Sequence, residues 1–245
     1  MQKGKFVKEY ELMCESVDCN DRLRPNSFMG IAQEVADFDA ERLGFGYRQL
    51  QPHDKAWILA RMHFSITEPA VWKENVCVET WHRGTQGPYF VRDYVLRGEE
   101  GNVKVTGVSS WVILDTKSRK MERISDISAL ISTDASCDES TGDLCPKIVF
   151  PRNMERTVCC TRQVSWSDID HNGHTNNAMY ISWAIDCLPA ERTMNGWCKE
   201  VFINFSRETR LGDMIDLYVA ETVPGTFIVE GECGGAVSFT AKLVF

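Results

Sequence analysis

The chain carries one pattern twice, and this limits its fold more than any other feature. Segments 18–36 (DCNDRLRPNSFMGIAQEVA) and 168–186 (DIDHNGHTNNAMYISWAID) align without gaps at an offset of 150 residues. The alignment matches Asp18 with Asp168, Asn26 with Asn176, Met29 with Met179, Ile31 with Ile181 and Val35 with Ile185. Internal repetition of this kind signals a duplicated structural unit. The flanks agree. Each copy opens with a strand-like run, 8–17 or 157–166, followed by a polar loop and a helix. In the first helix Phe28, Ile31, Ala32 and Val35 recur at helical spacing. Four strand-like stretches then follow in each half: 57–67, 76–82, 89–97 and 103–115, then 200–208, 214–222, 226–232 and 236–245. A strand, a helix and four more strands make an α+β unit with the helix packed on an antiparallel sheet. Residues 132–143 are rich in Ser, Thr, Asp and Gly and read as an exposed linker. The expected division is a first half at 1–133, a linker at 134–155 and a second half at 156–245.

Composition narrows the function. Hydrophobic content of 43% is ordinary for a globular protein, and no apolar run approaches the ~18 residues of a membrane helix. The start, MQKGKFVKEYEL, lacks an apolar core of the signal-peptide kind. Ten cysteines without a CxxC pair, two of them adjacent at Cys159–Cys160, fit reduced thiols. The reading is therefore a cytoplasmic protein that does not engage a membrane. A net charge of −8 argues against a nucleic-acid partner.

The chemistry is concentrated in Asp168–Asn177, DIDHNGHTNN, just ahead of the second helix. A helix start presents unpaired N–H groups and partial positive charge, so acid, amide and imidazole groups there suit hydrolysis of a polarised carbonyl. The same residues resemble half a calcium loop, with Asp168, Asp170, Asn172 and Gly173 in order. Position 12, where a bidentate Glu belongs, is Met179, and a strand rather than a helix precedes the loop. A transition metal on His171 and His174 lacks a second cluster of ligands. The expectation is no metal and no cofactor. Capping alone would predict similar residues in both copies. At the offset of 150, Asn20, Arg22 and Arg24 stand opposite Asp170, Asn172 and His174, so only the second half is equipped for acid–base work. Glu208, at the end of a strand whose polar face is Asn204, Ser206 and Glu208, adds an acid where the first half has Thr67.

SDIDHNGHTNNAMYISWAID followed by FSRETRLGD resembles the acyl-acyl carrier protein thioesterases of plants and bacteria. The resemblance covers nearly the whole chain. It implies an α+β tandem (double) hot-dog, each half an antiparallel sheet wrapped around a central helix. It also implies hydrolysis of a fatty acyl thioester on an acyl carrier protein, with Asp170, Asn172, His174 and Glu208 as the catalytic group. Many plant members carry Cys directly after that Glu; here the residue is Thr209, which favours direct attack by water over a thiol acyl-enzyme. Asp170 or Glu208 is the expected base, Asn172 orients, and His174 with the amides near Asn176 and Asn177 polarises the carbonyl. The first half is expected to bind the acyl chain, with Phe28, Met29, Ile31, Val35, Trp57, Leu59 and Trp111 as candidates. Asn176, Asn177, Met29 and Trp57 are assigned to substrate binding. Arg61, Arg192, Lys199, Arg207 and Arg210 are candidates for docking an acidic carrier. An acyl-CoA thioesterase, a non-catalytic acyl-binding module and a dehydratase are the alternatives. Whether the fused pair associates again into a homodimer is left open.

Overall fold

The computed structural model describes residues 4–127, 131 and 137–245. Ten strands run in chain order: β1 (Phe6–Glu11), β2 (Lys55–Ile66), β3 (Asn75–Gln86), β4 (Tyr89–Arg97), β5 (Val103–Asp115), β6 (Val158–Gln163), β7 (Glu200–Phe205), β8 (Met214–Val223), β9 (Thr226–Cys233) and β10 (Ala236–Val244). Helices α1 (Pro25–Leu43), α2 (Tyr47–Leu50), α3 (Ile124–Ile127), α4 (Asn177–Asp186) and α5 (Ala190–Asn195) complete the regular structure. The strands form one sheet, ordered β1-β3-β4-β5-β2-β7-β10-β9-β8-β6. Each half thus repeats the same internal order, and the two meet where β2 pairs antiparallel with β7, from Arg61 opposite Asn204 to Ser65 opposite Glu200. His63 stacks flat on Phe202 across this seam, with ring centroids 3.9 Å apart.

Pro25 opens α1 at its first turn, and Gly44 closes it in the left-handed conformation (φ 83°) that a side chain would resist. One face of α1 (Phe28, Met29, Ala32, Val35) and one of α4 (Tyr180, Ile181, Trp183, Ala184) are buried. The two helices pack on each other and on the same side of the sheet. Buried residues of both halves join into a single core that runs across the seam. Two duplicated units therefore share one sheet and one core, because each half-sheet satisfies its open edge with the other.

Residues 132–136 of the expected linker lie outside the described residues; 137–143 are mostly exposed, yet bonded to the sheet. From Cys137 onward the chain is strapped across the face of the sheet opposite the helices. Trp81 Nε1 donates to the Glu139 carbonyl at 2.8 Å, and Thr141 N donates to Asp93 Oδ1 at 2.7 Å. At the seam Asn204 holds the strap from both sides: Ile148 N donates to its Oδ1, and its Nδ2 donates to the Pro146 carbonyl. Cys145 is buried there, and Phe150 packs with Tyr218, Ala220 and Ile228. The polar composition of 137–143 suits both its exposure and the bonds of Ser140 to Arg83 and of Thr141 to Asp93.

Candidate active site

Asp170 to Thr175 form a tight polar turn between β6 and α4. Asp170 N donates to the His174 carbonyl and Gly173 N to the Asp170 carbonyl, with Gly173 at φ 78°. Asp170 Oδ1 accepts from Asn172 N at 2.8 Å, and Asn172 Nδ2 reaches Asp170 Oδ2 at 3.4 Å. The first half builds the same turn from other residues. Asp18 N donates to the Arg22 carbonyl, Asp21 N to the Asp18 carbonyl, and Asn20 N to Asp18 Oδ1 at 2.8 Å; Asp21 sits at φ 59°. Bridges Val17–Leu23 and Ile169–Thr175 flank the two turns alike. The structural offset is therefore 152, and the alignment at 150 is corrected. Asp18, Asn20 and Arg22 stand opposite Asp170, Asn172 and His174. The repeated D-x-N triplet was the signal that could have revealed this. An acid and an amide are common to both halves as turn builders; what separates the halves is His174 against Arg22.

β7 ends at Phe205, three residues short of the expected strand, because Ser206 N and Arg207 N both donate to the Ser238 carbonyl and the chain leaves the ladder. This turns the following segment toward the polar turn, where Thr175 N donates to the Thr209 carbonyl at 2.9 Å. Glu208 then lies beside His174, with Nε2 to Oε1 at 3.3 Å and both side chains little more than a quarter exposed. Two arginines close on the same carboxylate oxygen: Arg210 at 3.1 Å and Arg119 at 2.8 Å. Arg210 Nη2 also lies 3.3 Å from His174 Nε2. Burial pushes the Glu208 carboxyl upward, but the Arg119 ion pair, the charge of His174 and the Arg210 contact outweigh it and hold it below its ordinary value.

Arg119 was not found from sequence. It belongs to the first half, on a turn after β5 that Asp115 fixes by accepting from Lys117 N and Ser118 N, and it adopts φ 59°. A lone Arg in a polar turn carries no motif, and only the shared sheet brings it to Glu208. Arg119→Gln removes a charge that favours ionised Glu208. If Glu208 acts as the base, the acid limb of the kcat/KM profile is expected to move to higher pH, with a smaller change in kcat at its plateau. A pH–rate series on the two enzymes measures this. An unmoved limb would show that Arg119 does not tune the acid.

Thr209 is fully buried and bonds Thr175 Oγ1 at 2.7 Å and Tyr180 OH at 2.8 Å. It ties the segment after β7 to α4 and is not presented to a substrate. Asn176 caps α4 by accepting from Ala178 N at 3.0 Å. Gln33 of α1 connects this loop to the first half, accepting from Asn177 Nδ2 at 2.9 Å and donating to Asn176 at 3.4 Å. Gln33 also lines a cavity of about 90 Å³ that continues along α1 past Ala36 and Ala40 to Trp57, Phe90 and Trp111. Such a volume exceeds several times the space that one water needs. Trp57 is thus a wall of this cavity, whereas Met29 is fully buried in the shared core and does not line it. His171 is exposed, its ring 6.3 Å from that of Tyr47. Among the described residues, no group of three or more His, Cys, Asp or Glu side chains is arranged to hold a metal ion.

His82 also lines the cavity, 3% exposed, and burial with the charge of Arg92 pushes its pKa from 6.5 down to about 4. As pH falls, the unfolded chain protonates this imidazole first, so the native state loses stability between the two values. The loss from this group is about 3 kcal/mol between pH 7 and pH 4. Urea midpoints are expected to drop over that range in the parent and to drop less in His82→Gln. Equal slopes would show that His82 is not the titrating group.

One ten-stranded antiparallel sheet wrapped around two packed helices, each preceded by the same polar turn, defines a tandem hot-dog. The model of the acyl-ACP thioesterase N-terminal domain matches residues 3–130, and that of the C-terminal domain matches residues 153–233. The chain belongs to the acyl-ACP thioesterase family. It is 25% identical to oleoyl-acyl carrier protein thioesterase 1, chloroplastic, of Arabidopsis thaliana, over 97% of this chain and 67% of that protein. Its identity to oleoyl-acyl carrier protein thioesterase 2 of the same plant is 26%, over 92% and 64%. The chain thus spans about two thirds of the length of these relatives. Among solved structures, an acyl-ACP thioesterase from Bacteroides thetaiotaomicron superimposes with a TM-score of 0.86 at 24% identity, covering 98% of this chain and 97% of that one. The 12:0-ACP thioesterase from Umbellularia californica gives 0.83 at 18% identity, covering 98% and 96%. Both likenesses support the tandem hot-dog fold.

Proposed function

We propose that the chain hydrolyses fatty acyl-acyl carrier protein to the free fatty acid and the carrier thiol, by attack of water. One observation carries this reading: His174 and Glu208 meet at 3.3 Å just ahead of a helix start whose Asn176 and Asn177 bond Gln33, and Gln33 lines a cavity in the first half. Water attacks the thioester carbonyl and its proton goes to a carboxylate. The tetrahedral intermediate then collapses, the C–S bond breaks, and the departing sulfur takes up a proton. Glu208 is the better placed of the two candidate bases, because it is held ionised and contacts His174. His174 and the amides at the start of α4 stabilise the developing oxyanion. Asn172 holds Asp170 in the turn that sets His174. Asn176 and Asn177, joined to Gln33, keep the loop in register with the cavity, and Trp57 forms its wall. Membership of the acyl-ACP thioesterase family, and relatives named as oleoyl-acyl carrier protein thioesterases, support the activity.

The division of labour follows. The half at 1–133 accepts the acyl chain, 134–155 connects, and 156–245 carries the chemistry, with Arg119 crossing from the first half. Arg207 and Arg210 follow β7 and offer positive charge beside Glu208 to an acidic carrier protein, with Arg61, Arg192 and Lys199 as further candidates. The cysteines are free, which fits a reducing compartment such as the cytoplasm. No helix among the described residues is long and apolar enough to cross a membrane. The outermost strands, β1 and β6, are the edges through which a homodimer could form. Thiol release from matched acyl-carrier-protein and acyl-CoA substrates tests the reading. A higher kcat/KM on the carrier protein supports it. Equal or greater turnover of acyl-CoA would favour the other carrier, and no hydrolysis of either would return the chain to acyl binding alone.

A further inference from the structure

The cavity along α1 is not purely apolar at its far end. His82 is 3% exposed and lines it, yet its Nε2 has no hydrogen-bond partner among the described residues. An unmet polar atom in a buried site is costly, so a group that bonds it there is favoured. The ring is neutral near pH 7, and its backbone hydrogen bond to Val91 leaves Nε2 unmet. The bare nitrogen is therefore a hydrogen-bond acceptor. Arg92 lines the same space, and among the described residues its guanidinium is held through Nη1, by Asp39 at 2.6 Å and Thr80 at 3.3 Å. Beside Trp57, Phe90 and Trp111 the cavity thus offers His82 Nε2 as an acceptor and the Arg92 guanidinium as a donor, with Gln33 and Asp37 as the other polar groups of its lining, both on α1. A hydroxyl group, which donates and accepts at once, complements both.

The location of this pair fixes where on the chain the hydroxyl would sit. Gln33, at the end of the lining nearest His174, bonds Asn177 at the start of α4, and the lining face of α1 runs from Gln33 to Ala40, about 10 Å of helix. His82 lies at the far end, its ring 5.7 Å from that of Phe45, whose N–H is bonded to the Ala40 carbonyl. Arg92 is anchored there too, by Asp39. We propose that this cavity selects acyl chains bearing a hydroxyl well removed from the thioester, with His82 and Arg92 as the specificity-determining pair. The proposal rests on the thioesterase reading and names its substrate class.

The test compares acyl chains of one length on the same carrier protein: unsubstituted, hydroxylated next to the carbonyl at C3, and hydroxylated toward the far end. Expected is a kcat/KM about tenfold higher for the distally hydroxylated chain than for the other two. His82→Phe should bring that ratio to one, and His82→Gln, which retains an acceptor, should keep part of it. Calorimetric binding of the corresponding free acids to the unmodified protein runs alongside and needs no hydrolysis. Equal kcat/KM and equal Kd for plain and distally hydroxylated chains would overturn the proposal and show that the pair holds water only. Absence of turnover on every chain, with tighter binding of the hydroxylated acid, would instead overturn the thioesterase reading and leave the selectivity standing. If His82→Phe fails to fold, the ratios and affinities of the unmodified protein decide alone.

Discussion

Glu208→Gln is expected to lower kcat/KM by about 10²–10⁴-fold while the melting temperature stays near that of the parent, as removal of an essential acid–base group does. The substitution is nearly isosteric and Glu208 packs into no core, so the fold has little to lose. What it removes is the one anion on which Arg119, Arg210 and His174 converge. In a general-base role the carboxylate takes the proton of the attacking water, and an amide cannot. Its depressed pKa keeps it ionised throughout the neutral range, at the expense of intrinsic basicity, so catalysis then depends on position rather than on a tuned pKa. His174→Ala should show a loss of the same order, and the double variant little further loss, because the two act as a unit. Steady-state kinetics with a thermal scan on all three variants gives the answer. A folded Glu208→Gln enzyme with full turnover would remove Glu208 from the chemistry and pass the role of base to Asp170.

Strand positions were legible from alternation alone, and most boundaries fall within two residues of the structure. The joining of the halves was not. β2 and β7 look like ordinary strands, and nothing in VFINF or RMHFS says that they pair with each other. That the segment after Cys137 is tied to the sheet was not legible, because the side chains that hold it, Trp81, Asp93 and Asn204, are far away in sequence. The candidate site was half legible. His174 and Glu208 stood out because an imidazole and an acid lack counterparts in the first half, and that difference survives the corrected register. Arg119 did not stand out, since its relevance arises from a turn that only the folded sheet places beside Glu208. The register error itself came from matching Asp18 to Asp168. Asp168 is buried, and its Oδ2 accepts from Ser165 N, a local cap, whereas Asp18 and Asp170 each hold the turn that follows them.

That twin arrangement allows the role of Asp170 to be separated from its architecture. Asp18 and Asp170 make the same bonds to the amide two residues on, in halves that differ in chemical equipment. Replacing either by Asn leaves an acceptor oxygen for that amide and removes the charge. If Asp170 is only a turn builder, Asp18→Asn and Asp170→Asn should lose similar small amounts of stability, and both should retain activity within a fewfold. If its carboxylate also serves the water, Asp170→Asn alone should lose on the order of 10²-fold or more in kcat. The structure adds one asymmetry: Asp18 Oδ2 is paired with Arg22 at 3.0 Å, whereas among the described residues Asp170 Oδ2 has the 3.4 Å contact from Asn172 alone. The Asp170 carboxylate is therefore less neutralised, and the larger loss is expected in the second half. Both variants measured side by side for melting temperature and kcat decide the matter. A drop in stability at Asp170 large enough to account for its lost turnover would place it with the scaffold.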